Sequence, residues 1–111
     1  MPKTKLKLQK IEDLDPFDDG TELYAKQLKA KKFAQLADKF RDLQNKTTDE
    51  KMGAMAEVCC IGICDEKGKA LFETPDEVLE ESFSFMEIAA EAVLAINGLA
   101  PDSLDTAVKN S

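Results

Sequence analysis

The spacing of hydrophobic residues changes several times along the chain, and each change predicts a new element. Residues 5–11, KLKLQKI, alternate Lys with apolar side chains, which is the period of two expected of a strand with one buried face. The turn-rich segment DLDPFDDGT follows at 13–21, and TELYAKQL at 21–28 alternates again. These segments predict an N-terminal β-hairpin with a long loop.

Helical spacing replaces this alternation in the middle of the chain. Apolar residues that recur at intervals of three and four predict an amphipathic helix over residues 29–45. Thr47 and Glu50 match a capping box that would start a second helix. The segment VCCIGIC at 58–64 is rich in strand-forming residues, so helix and strand both stay open there. A continuous apolar face favours helix, and it contains Met52, Met55, Ala56, Cys59, Cys60 and Ile63.

Turn and capping signals organise the last third of the chain. DEKG at 65–68 predicts a type I turn, and Thr74 followed by Pro75 predicts a helix start, because Thr caps and Pro has no N–H to leave unbonded. We expect the last helix to run from about residue 75 to 97, with a bend near 82–84. Two apolar stripes lie along it: Leu79, Phe83, Met86, Ala90 and Val93 form one, and Phe85, Ile88, Ala92, Ile96 and Leu99 form the other.

These elements predict an α+β fold, mainly α, in which an N-terminal β-hairpin is followed by three to four packed helices. The 111 residues suit a single domain, which we place at 1–100, with a flexible C-terminal tail at 101–111. A helix that is apolar on two sides is normally buried on two sides. The second stripe is therefore either enclosed by the rest of the chain or exposed as a groove that receives another chain.

Charge is distributed unevenly and limits the classes of partner. Residues 1–51 carry twelve Lys and Arg against ten Asp and Glu, whereas residues 52–111 carry three against twelve. The formal net charge of −7 disfavours nucleic acid, despite the local KQLKAKK at 26–32. No apolar run reaches the ~18 residues that a membrane span needs, and the first residues lack a secretory apolar segment. We therefore expect a cytoplasmic protein without membrane association.

The sequence contains few residues suited to catalysis. It has no histidine, which is the commonest general base and metal ligand. Cys59, Cys60 and Cys64 lie in an apolar stretch that should raise their pKa values, and their spacing matches no zinc-ribbon pattern. Glycine-rich phosphate-binding motifs are also missing. We therefore expect a protein that is not an enzyme and that binds no metal or cofactor.

One part of the chain resembles a known family. Residues 63–100 are similar to the C-terminal half of the tail assembly chaperones of long-tailed bacteriophages, through D-E-x-G-x-x-L-F at 65–72 and N-G-L at 97–99. TELYAKQL followed by a helix is similar in outline to the family's N-terminal half. The Lys-rich residues 1–11 and the adjacent Cys59 and Cys60 depart from the family pattern.

The resemblance implies a non-catalytic chaperone that binds and solubilises the tape measure protein during tail tube assembly. Such a protein acts in the cytoplasm of the bacterial host and is not expected in the finished virion. The family also implies a homo-oligomer, and a longer frameshifted product whose extension recruits the tail tube protein. The apolar residues that would meet the client form the candidate partner-binding set: Met52, Met55, Phe85, Ile88, Ala92, Ile96 and Leu99.

A second hypothesis assigns the chain to a different class. A small acidic regulator or adaptor that binds one folded partner would have the same composition and the same apolar surface. It predicts a defined one-to-one complex and no effect on the solubility of a tape measure protein.

Overall fold

The computed structural model describes residues 5–41 and 43–98, and it confirms the α+β, mainly α, class. Three short strands form one sheet, and four α-helices and a 3-10 turn account for the other regular structure in these residues. In chain order the elements are β1 (Leu8–Lys10), β2 (Tyr24–Lys26), α1 (Ala30–Phe40), the 3-10 turn (Leu43–Asn45), α2 (Thr48–Gly62), β3 (Ile63–Cys64), α3 (Pro75–Leu79) and α4 (Phe83–Ile96). The tail predicted at 101–111 lies outside the described residues.

The sheet extends the predicted hairpin by one strand. Its order is β1-β2-β3, and both pairs are antiparallel. Segment 58–64, whose composition suits both helix and strand, contains both: α2 continues to Gly62, and Ile63 and Cys64 then pair with β2. Because β2 is the central strand, it joins the N-terminal hairpin to the middle of the chain.

The first strand turns a different face to the core from the one its pattern predicts. Gln9 pairs with Ala25, which is only 1% exposed and faces the core. Residues on one strand alternate between the two faces of the sheet, so Ile11 shares the core side, whereas Leu6 and Leu8 lie on the opposite side. Ile11 is accordingly buried, and Leu6 and Leu8 are 38% and 36% exposed. The expectation that the Leu residues face the core is therefore wrong.

Helix α1 is shorter than predicted. It ends at Phe40, where Arg41 adopts an extended conformation, and the 3-10 turn follows in place of the last predicted turn. Leu36 is the one residue of α1 that is fully buried, so the helix rests on the domain through a narrow stripe. An ion pair between Lys39 and Glu57 ties its outer side to α2.

Helix α2 is the centre of the core, because it is buried on most of its circumference. The predicted capping box is confirmed: Thr47 Oγ1 accepts from the Glu50 N–H at 3.2 Å, and the Glu50 carboxylate accepts from the Thr47 N–H at 3.2 Å. The helix packs against both α3 and α4. Its buried residues are Lys51, Ala54, Met55, Ala56, Val58, Cys59 and Gly62.

The predicted last helix is two helices. Ser82 caps α4 by accepting from the Phe85 N–H at 3.1 Å, and its extended conformation separates α4 from the short α3. The start predicted at Thr74 is confirmed, since the Glu77 carboxylate accepts from the N–H groups of Thr74 and Glu73. The break redirects the first apolar stripe: Met86, Ala90 and Val93 are buried, whereas Leu79 and Phe83 are 46% and 45% exposed.

Glycines with positive φ lie in the turn before α3 and just after α4. Gly68 closes the predicted turn with φ +86°, and its N–H donates to the Asp65 carbonyl at 3.0 Å. The Asp65 carboxylate accepts from the N–H of Lys69, which lowers its pKa, and from that of Lys67. Gly98 lies just past the end of α4 with φ +83°.

Close packing between α2 and α4 predicts opposite effects for two alanine substitutions in one helix. A Cβ at Gly62 would lie 2.4 Å from Val93 Cγ1, whereas a Cβ at Gly53 would meet nothing within 4 Å. Gly62→Ala should therefore lower the free energy of unfolding by about 1–3 kcal/mol, measured by urea denaturation. Gly53→Ala should raise it by roughly 0.5–1 kcal/mol, because alanine has the higher helix propensity.

A double variant identifies the clash as the cause. In a Val93→Ala background Gly62→Ala should cost less than it does in the wild-type background, because the clashing methyl groups are gone. Equal effects of alanine at positions 53 and 62 would contradict this packing.

Candidate partner-binding surface

The structure distributes the predicted partner-binding residues over three environments. Met55 is fully buried in the core, so the expectation that it offers surface to a partner is wrong. Leu99 lies outside the described residues. The other five are neither sealed nor fully exposed: Met52, Phe85, Ile88, Ala92 and Ile96 are half-buried and pack against the edge of the core.

Ile88 and Ala92 line a groove between the sheet and the outer side of α4. This β1–α4 groove has a volume of about 390 Å³ and an apolar base that includes Ile11 and Ala25. Polar side chains border it, namely Gln9, Lys10, Glu12, Asp13 and Glu91. The groove follows from the strand register. Gln9 pairs with Ala25, so a polar side chain, and not a large apolar one, occupies the core-facing position of β1 beside α4. The second stripe of the last helix is thus partly open.

Among the described residues, no strand pairs with the outer edge of β1, which lies beside this groove. On either side of β1, the Ile11 N–H donates to the Leu23 carbonyl and the Lys7 carbonyl accepts from the Gln27 N–H, so the odd-numbered residues of this segment bond toward β2. In an antiparallel ladder the intervening residues point away from the partner strand. The N–H and C=O groups of Leu8 and Lys10 therefore face the open edge of the sheet, where another chain is able to pair with them.

Phe85 belongs to a different part of the surface. Its ring lies 6.4 Å from that of Phe17 and 6.0 Å from that of Phe72, and the last two rings are 6.2 Å apart, so the three form an aromatic cluster. The cluster forms the base of an open cleft of about 810 Å³. The cleft is bordered by acidic residues: Asp15, Asp18, Asp19, Glu77, Glu80 and Glu81. Part of the Phe85 ring is thus buried against Phe17 and Phe72 of the same chain.

A third groove lies on the face of the sheet opposite the β1–α4 groove. We call it the lysine groove, because Lys26, Lys29 and Lys32 border it. Its volume is about 640 Å³. The base is apolar and consists of Leu6, Leu28, Cys60, Ile61, Ala70 and Phe72. Sequence reasoning missed this groove, since its residues come from four separate segments and share no local pattern.

The cysteines are free thiols of low reactivity. Cys59 and Cys64 are buried, and Cys60 is half-buried in the lysine groove. Burial raises the pKa of Cys59 to about 12, and it also raises the pKa values of Cys60 and Cys64, as the sequence predicts. Each sulfur lies near a backbone carbonyl, at 3.5 Å from Phe72 O in the case of Cys60. The thiols therefore act as packing groups at neutral pH.

Within residues 5–41 and 43–98, no cluster of three or more His, Cys, Asp or Glu side chains is arranged to hold a metal ion. None of the helices in this part of the chain is long and apolar enough to cross a membrane. The surface features described above are grooves and a cleft bordered by charged side chains.

No protein-family model, curated protein or solved structure matches this chain.

The geometry of the thiols predicts an order of chemical modification. In the native protein a neutral alkylating reagent should modify Cys60 well before Cys59 and Cys64, as measured by mass spectrometry of digested samples. Because the pKa of Cys60 is raised above 9.0 by burial first and by Glu77 and Glu57 next, its rate should keep rising with pH beyond 9. In denaturant the three thiols should react alike. Native modification of Cys59 at the rate of Cys60 would contradict the fold.

Proposed function

We propose that this protein is a non-catalytic tail assembly chaperone of a long-tailed bacteriophage, which binds the tape measure protein and keeps it soluble during tail tube assembly. The observation that carries the proposal is the half-exposed stripe of α4 in the β1–α4 groove. Ile88 and Ala92 remain accessible there after the chain has folded. The D-E-x-G-x-x-L-F and N-G-L motifs add the resemblance to the family.

The shape of the groove suits a helical client. A tape measure protein is long and largely helical, and its apolar surface needs shielding until the tube encloses it. An amphipathic helix laid into an apolar groove buries such a surface through residues spaced three and four apart. The polar border at Gln9, Glu12 and Glu91 stays in contact with water when the base is covered. A complex formed this way would remain soluble.

Other parts of the proposal come from the resemblance alone. The protein would act in the cytoplasm of the bacterial host and be absent from the finished virion. It would form a homo-oligomer, and a longer frameshifted product would recruit the tail tube protein.

A second candidate function is supported by the acidic cleft. Its aromatic base and six carboxylate residues suit a single basic patch on a folded protein, which is the adaptor or regulator alternative. This candidate predicts a one-to-one complex that weakens with added salt and leaves tape measure solubility unchanged.

Ile88→Asp tests the leading proposal, with co-expressed tape measure protein as the client. Losing the apolar contact and placing a charge in the groove should weaken binding about tenfold or more. The soluble fraction of the client should fall accordingly. Ala92→Gln should act in the same direction, because it fills the groove without removing a large apolar side chain. Circular dichroism should show that both variants keep their helices.

Phe83→Asp is the matched control. It also removes an apolar side chain from α4 and adds one negative charge, but Phe83 does not line the β1–α4 groove. It should preserve client solubility. Equal rescue by Ile88→Asp, Ala92→Gln and the wild-type protein would refute the proposed site, and failure of the wild-type protein to rescue the client would refute the function.

A further inference from the structure

The lysine groove concentrates positive charge in an otherwise acidic chain. Lys26, Lys29 and Lys32 border its apolar base, and Glu73 is the one acidic residue among the lining groups. The ion pairs formed among the described residues involve other cations, so these three lysines have no carboxylate partner in this part of the chain. Helix α1 starts at the border of the groove without an acidic residue in its first turn, which adds to the positive potential. The groove therefore complements a surface that combines apolar side chains with carboxylates.

The connection between α3 and α4 presents a surface of this composition. We define the α3–α4 corner as residues 79–83, which read LEESF and are all exposed. Leu79 and Phe83 are 46% and 45% exposed, although large apolar side chains are normally covered. Glu80 and Glu81 lie between them, and neither takes part in an ion pair within the described residues. The corner thus offers two apolar side chains and two carboxylates.

The corner and the groove do not meet within one chain. No residue of 79–83 lines the groove, and the three lysines form no ion pair with Glu80 or Glu81. A second copy brings the two surfaces together with complementary charge. It also supplies apolar contact, because Leu6 lines the groove and is 38% exposed. A nucleic acid fits the groove less well, since the chain has a net charge of −7 and the base of the groove is mostly aliphatic.

We propose that the α3–α4 corner of one copy docks in the lysine groove of a second copy, with Leu79 and Phe83 toward the apolar base and Glu80 and Glu81 beside the lysines. The contact joins two unlike surfaces, so every copy carries one corner and one groove. It deepens the proposed function by naming the contact of its homo-oligomer. The β1–α4 groove is built from one chain, so client binding and this contact stand or fall separately.

Charge reversal on each surface tests the contact, with sedimentation equilibrium of the full chain as the measurement. Glu80→Lys with Glu81→Lys should raise the dissociation constant of self-association about tenfold, because attraction becomes repulsion. Lys26→Glu with Lys29→Glu should have the same effect. Combining the four changes in one chain should restore association, and so should mixing the two double variants, since carboxylates then face lysines again. Added salt should weaken association of the wild-type protein.

A matched control separates the contact from the effect of net charge. Glu12→Lys with Asp13→Lys makes the same change in net charge as the corner variant, but both residues border the β1–α4 groove on the other face, so association should be unchanged. Circular dichroism should show that every variant keeps its helices. A wild-type protein that stays monomeric at all concentrations would overturn the proposal. Association that survives both charge reversals, as pairing through the open edge of β1 would, would overturn it as well.

Discussion

The close packing of α2 against α4 is the constraint on which the rest of the structure depends. Gly62 has no side chain, so the Val93 methyl groups occupy the space where a Cβ would lie. This contact places the Met86, Ala90 and Val93 side of α4 in the core, where all three residues are buried. A helix with two apolar stripes then has to turn the second one outward. The half-exposed Ile88 and Ala92 are thus a consequence of core packing, and β1 covers them only in part.

Short-range signals in the sequence were sufficient to predict where α2 and α3 begin, but they did not predict the end of α1 at Phe40 or the separation of α3 from α4. The Thr47 and Glu50 pair, the Thr74–Pro75 start and the positive φ of Gly68 and Gly98 each depend on residues within a few positions of one another. The pairing of strands depends on distant residues. The register that joins Gln9 to Ala25 decides which side of β1 faces the core, and the alternation of Leu and Lys gave no information about it.

The same distinction explains which candidate residues stay accessible after folding. Ile88 and Ala92 were predicted from the spacing of one helix, and they do line a groove. Met55 was assigned to a surface, but α2 is enclosed on most sides by elements far away in sequence. Phe85 was predicted to meet a partner, yet its ring packs against Phe17 and Phe72. Burial of this kind depends on three-dimensional neighbours, which a local pattern does not contain.

Methyl nuclear magnetic resonance of the protein with and without tape measure protein tests the central claim most directly. The account predicts that the methyl signals of Ile88 and Ala92 shift or broaden when the client binds. Val78, which is fully buried, should keep its signals. Changes confined to Leu79 or to the residues of the acidic cleft, with Ile88 and Ala92 unaffected, would contradict the claim that the outer stripe of α4 receives the client.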